Sequence, residues 1–169
     1  MWETIAAEAT AESPIWGDAL KSDPVREPVF SPLADERFRL GLETIYEGYL
    51  VHYGSSRLFA PVDDDTALLL GDYLYAHGLV RIADAGDVHA VEDLSELISL
   101  CSQLRADQAP GDGEVWAASA GLLGRGVLDD ARKALRDGGD AGPLSALAAE
   151  HAGAAELEQA LVAHARRLR

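Results

Sequence analysis

The side chains able to do chemistry are few and scattered. Five histidines, His52, His77, His89, His151 and His164, are not paired with one another, and none follows a glutamate at the three-residue offset of the Glu-x-x-His used by carboxylate-bridged metal centres in helical bundles. The single cysteine, Cys101, excludes an intramolecular disulfide. It stands on an apolar helical face without an adjacent base and reads as packing, not as a nucleophile. Ser55 and Ser56 lack the Gly-x-Ser-x-Gly elbow of a hydrolase, and Gly121-Leu-Leu-Gly124-Arg-Gly126 lacks the strand and lysine of a phosphate loop. Adjacent carboxylates such as Asp63-Asp64-Asp65 suit a hard cation, but Thr66 and Ala67 follow with no acid three or four residues on. The triplet therefore reads as a helix N-terminus, where the dipole favours negative charge. No catalytic residue, metal site or cofactor is expected from these spacings.

The bulk composition narrows the partners. The chain has 169 residues, with 14 basic and 29 acidic side chains and a formal charge of −15, a field that repels phosphate backbones and anionic lipid surfaces. No nucleic-acid partner is expected. Hydrophobic residues at 48% and charged residues at 25% match a chain that folds around a core. Met1 to Leu20 lacks the charged start and apolar run of an export signal, and the stretch from Thr66 to Ala83 is interrupted by Asp72, His77 and Arg81. No membrane insertion is expected, and one cysteine suits the reducing cytoplasm.

Helices must position whatever site exists. Alanine and leucine dominate the apolar residues and no long run alternates strictly, which predicts an all-α helical bundle. Residues 1–33 carry Pro14, Pro24, Pro28 and Pro32 too closely for a long helix and are expected to form an irregular N-terminal arm, with a short helix near its start and apolar residues that dock on the body. Residues 34–169 are expected to form the bundle. Leu42, Ile45, Tyr46, Tyr49, Leu50 and Tyr53 mark one buried helix face ending at Gly54. A helix from about Thr66 to Ala85 is apolar on nearly every side, and is therefore placed innermost, with Asp72 buried beside Leu68, Leu69, Tyr75, Ala76 and Leu79. An amphipathic helix over about 88–106, shorter ones over 114–123 and 128–136, and a helical tail divided at Gly153 complete the expectation.

The segment from Leu42 to Leu104 carries a more specific pattern. Leu42-Glu-Thr-Ile-Tyr-Glu-Gly-Tyr-Leu-Val-His52, then Ala67-Leu-Leu-Leu-Gly71-Asp72-Tyr-Leu-Tyr-Ala76-His-Gly-Leu79, then Gly86-Asp87 opening another helix, resembles the trans-type polyprenyl diphosphate synthases. In that family a helix ending in Leu-x-His-Asp-Asp carries the first aspartate-rich motif, and a later helix bears Gly-Asp-Tyr-Leu-x-Ala. Leu50-Val51-His52 matches the approach to the motif, but Tyr53 and Gly54 stand where the aspartates belong, and Arg57 fills its fifth position. The distal candidate Asp129-Asp130 is followed by Ala131, Arg132 and Lys133. The family's reaction uses Mg²⁺ bridged by motif carboxylates to a diphosphate leaving group, which tyrosine and glycine cannot provide.

The resemblance thus implies a truncated, catalytically inactive relative of the isoprenoid synthase bundle, acting as a noncatalytic subunit or interaction module. Its implied partner is a second copy or a full-length prenyl synthase. An alternative reading keeps the substrate cavity as an apolar pocket for a prenyl chain or other lipid, with Tyr49, His52, Tyr53, Asp72 and His77 as ligand-binding residues. A third keeps turnover through a relocated metal site.

Overall fold

The computed structural model describes residues 1–168. Nine α-helices are formed among them: α1 (Trp2–Glu12), α2 (Pro14–Asp18), α3 (Arg39–Tyr53), α4 (Asp64–Asp84), α5 (Val88–Ala106), α6 (Asp112–Gly121), α7 (Asp129–Gly138), α8 (Gly142–Ala152) and α9 (Ala154–Ala165). Single 3₁₀ turns at Ser31–Leu33 and Glu36–Phe38 lead into α3. Extended pairing among the described residues is limited to two isolated bridges, Leu20 with Phe59 and Gly54 with Leu168. The fold is all-α, and no helix among the described residues is long and apolar enough to cross a membrane.

Local chemistry sets the helix ends. The Asp63 carboxylate accepts from the Thr66 amide at 2.7 Å and that of Asp87 from the Ala90 amide at 3.0 Å, so both aspartates are N-caps. Gly139 closes α7 in the left-handed region at φ 68°, where glycine carries no Cβ penalty. Gly153 separates α8 from α9.

The innermost helix is α3, not α4. Every residue from Gly41 to Val51 is buried, including Glu43 and Glu47. By contrast Leu68, Leu69 and Val80 of α4 are 54%, 62% and 56% exposed. The expectation for α4 fails because a helix apolar on all sides does not declare which side is covered. The covered side is marked instead by glycine. Gly41 and Gly48 on α3, and Gly71 and Gly78 on α4, are each spaced by about two turns, and they interlock in antiparallel register. A Cβ on Gly48 would lie 2.9 Å from the Gly71 carbonyl oxygen, and one on Gly78 would lie 2.9 Å from the Gly41 carbonyl oxygen. The two backbones touch along this seam, and the leucines of α4 beyond it face outward.

Two apolar clusters flank the seam. The larger gathers Phe30, Phe38 and the inner face of α3 with α5, α6, α8 and α9 around Trp116. The smaller joins Trp2, Ile5 and Ala9 of α1 to Val51, Leu58, Phe59, Leu70 and Leu74. The first half of the N-terminal arm is therefore helical and docked, and Phe30 near its end is buried in the main core.

Candidate functional site

The outward side of α4 leaves apolar side chains uncovered on a regular element. Asp65, Leu68, Leu69, Asp72, Ala76, Val80 and Ala83 recur at helical spacing and are all exposed. Val62, 85% exposed, and Val88, 79% exposed, stand just beyond the two ends of α4. Asp63, Asp64, Asp65 and Asp84 bracket it, with Asp72 at its middle. The helix's own cation is turned elsewhere: Arg81 pairs with Glu8 of α1, which also meets His77 Nε2 at 3.2 Å. Trp16 of α2 covers Tyr73 on that same side, their ring centroids 4.3 Å apart.

Asp72 is thus exposed, not buried, with 65% of its side chain open to solvent. Helical period does group it with Leu68, Leu69 and Ala76, but that group faces out. Its partner is His52, whose Nε2 lies 3.3 Å from the Asp72 carboxylate. The His52 ring rests on Gly71, where any Cβ would overlap it, and sits 5.6 Å from the Tyr53 ring and 5.1 Å from Tyr75. Burial holds the imidazole below its ordinary pKa, with the Asp72 charge pulling the other way.

Of the five residues named from sequence, four are brought into contact with one another and His77 is set apart. Tyr49 is fully buried, and its hydroxyl donates to Asp112 Oδ2. Burial is the chief cause that raises its pKa, and the Asp112 charge adds to it. The Tyr53 hydroxyl donates to Ser102 Oγ at 3.2 Å, and its ring lies 5.1 Å from Tyr49. Tyr49, Tyr53, His52 and Asp72 therefore form a chain of contacts running from the core to the surface of α4. His77 belongs to the α1 tether instead.

Three buried polar networks are not foreseen from the sequence, one of them the Arg132 guanidinium with Asp93 at 2.8 Å and Ser119 at 3.3 Å, and the other two meet on α3. In the first of these two, the fully buried Arg57 guanidinium meets Glu43 Oε2 at 2.6 Å and Glu47 Oε2 at 2.8 Å, and donates to the Glu27 carbonyl at 3.0 Å. Glu47 Oε1 also accepts from the Ser56 hydroxyl and from the amides of Arg57 and Leu58, at 2.7 and 2.8 Å for the amides. The rings of Trp2 and Tyr46 lie 4.5 and 4.9 Å from the guanidinium carbon. Burial alone would lower the Arg57 pKa, but the two carboxylates raise it above its usual value. Glu43 and Glu47 stand four residues apart on a helix with apolar neighbours, which is the available sequence signal for a buried cation.

In the second network Asp112 accepts from Tyr49 and from its neighbouring Gly113 amide at 3.1 Å, with His164 Nε2 3.5 Å away. The Tyr46 hydroxyl shares a hydrogen bond with His164 Nδ1 at 2.9 Å. Burial tends to raise the Asp112 pKa, but hydrogen bonds from His164 and Tyr49 and the charge of Arg105 hold it below the usual carboxylate value. Both networks brace α3 from within, leaving the α4 stripe on a rigid support. Among the described residues no three His, Cys, Asp or Glu side chains are grouped as a metal-ligand set.

Comparison of the chain with protein-family models, with curated proteins and with solved structures finds no match.

Proposed function

We propose that the protein is a noncatalytic association module that presents the outward face of α4 to a partner helix. The observation that carries this reading is the exposed stripe of Leu68, Leu69, Ala76, Val80 and Ala83 bracketed by aspartates. Exposed apolar side chains cost solvation free energy in a free monomer, and a helix laid along them removes that surface from water.

Charge selects the kind of partner. Two copies apposed through this face would set aspartates against aspartates in chains that each carry −15. A partner helix with an apolar seam and flanking lysines or arginines meets the acids favourably. The pairing is heteromeric, and the resemblance of residues 42–104 to trans-type prenyl synthases names the partner class, a full-length synthase acting in isoprenoid biosynthesis. The 21 residues of α4 span about 30 Å, so a single helix buries an area near the small end of specific interfaces. The complex is therefore reversible.

Sedimentation velocity of the chain alone, and mixed with a full-length trans-type synthase from the same organism, tests this. The chain alone is expected to remain monomeric, the mixture to form a faster heteromer, and Leu69→Glu with Val80→Glu to abolish it. Absence of a heteromer, or one indifferent to the double substitution, contradicts the reading.

A further inference from the structure

Away from the α4 stripe, the docked arm encloses a cleft of about 380 Å³ between α1 and the extended segment that follows α2. Its chemistry is divided. Trp2, Leu20 and Leu58 supply an apolar floor, and Trp2 and Leu58 are themselves buried. Lys21 and Arg26 stand at its edge in a chain with only 14 basic residues against 29 acids.

Neither cation is consumed by the fold. The Lys21 ammonium donates to the Ser56 carbonyl, which anchors it at the cleft and leaves further N–H donors. Arg26 meets Glu3 Oε1 at 3.2 Å, but these side chains are 54% and 70% exposed, so the pair is solvent-screened and opens at little cost. Behind the floor, the Arg57 guanidinium carbon lies 4.5 Å from the Trp2 ring and fixes the indole in place, its charge met by Glu43 and Glu47.

We infer that this cleft binds a small amphipathic anion, whose apolar body rests on Trp2, Leu20 and Leu58 and whose carboxylate or phosphate head group lies between Lys21 and Arg26, displacing Glu3. A volume toward the lower end of small-molecule sites suits a short alkyl or single-ring body. Arg26 offers a planar fork to either head group, and Lys21 adds a point charge. Binding holds α1 to the body because Trp2 belongs to that helix. The inference is independent of the α4 reading, since it concerns other residues and another class of ligand.

Titration followed by ¹H–¹⁵N correlation of the tryptophan indole groups tests it, with sodium octanoate, octyl phosphate and 1-octanol as probes. The Trp2 resonance is expected to shift saturably with an anionic probe, with Trp116 unaffected. The comparison of octanoate with octyl phosphate shows which head group is preferred. Octanol is expected to bind at least tenfold more weakly. Arg26→Gln, at an exposed position that leaves the core intact, is expected to weaken binding of the preferred anion at least fivefold, and Lys21→Met likewise. No saturable Trp2 shift, equal binding of octanol, or affinities unchanged in both variants would overturn the inference.

Discussion

Gly48 of α3 lies against the backbone of Gly71 of α4 so closely that a β-carbon on Gly48 would come within 2.9 Å of the Gly71 carbonyl oxygen. This contact, repeated where Gly78 meets Gly41, sets which side of α4 is covered and therefore which side is left exposed. The obstacle is backbone, which cannot swing aside as a flexible side chain can.

Gly48→Ala and Gly78→Ala are accordingly expected to destabilise the protein by about 1–3 kcal/mol each through overpacking. Gly138→Ala supplies the contrast, since its Cβ would meet nothing within 4 Å at the end of α7. It is expected to stabilise by about 0.4–1 kcal/mol by restricting the unfolded chain. Urea unfolding of the three variants checks both signs, and a neutral Gly48→Ala would remove the glycine seam from the account.

Arg57→Met leaves the carboxylates of Glu43 and Glu47, 1% and 0% exposed, without their shared cation. The expected loss is about 3–5 kcal/mol, most of it from uncompensated buried charge. Arg57→Met combined with Glu43→Gln and Glu47→Gln removes the charges together and is expected to recover part of it. Chemical denaturation of the single and triple variants measures the difference.

His52 titrates below its ordinary value because burial disfavours the imidazolium, and the Asp72 charge partly offsets this. As pH falls below about 6.5 the unfolded chain takes up a proton that folded His52 still refuses, so its contribution to stability falls until the folded value is passed. Above that window His52 adds no slope. NMR titration is expected to show the His52 pKa reduced further in Asp72→Asn, while His52→Gln flattens the stability profile below pH 6.5. An Asp72→Asn variant with a higher His52 pKa would contradict the pairing.

Gln108 holds φ at 54° just after α5, while the Ala109 amide donates back to the Leu104 carbonyl at 2.8 Å. That is the left-handed exit glycine normally supplies. Gln108→Gly is expected to stabilise by about 1 kcal/mol by relieving the Cβ clash, read as a raised thermal midpoint.

Legibility from sequence follows the range of the interaction that decides each feature. Helix ends at Gly54, Asp63, Asp87 and Gly153 are set within a few residues and can be read directly. Burial of Leu42, Ile45, Tyr46, Tyr49 and Leu50 follows from their period. The covered side of α4 is not legible by hydropathy, because leucines occupy several faces and the glycines that make the seam carry no hydrophobic signal. Asp72 is assigned inward for the same reason. The Arg57 pairings depend on a chain reversal between α3 and the loop, and the Asp112 to His164 contact joins residues far apart in the chain, so neither has a local signature beyond the spacing of Glu43 and Glu47.

The claim that α4 is the docking face is met most directly by site-specific photo-crosslinking. A photoreactive residue at exposed Ala76 on the α4 stripe, and another at exposed Lys133 on α7, are mixed in turn with the full-length trans-type synthase and illuminated. The account predicts a covalent heteromer from position 76 and none from position 133. Equal yields from both positions, or no product from position 76, would contradict it.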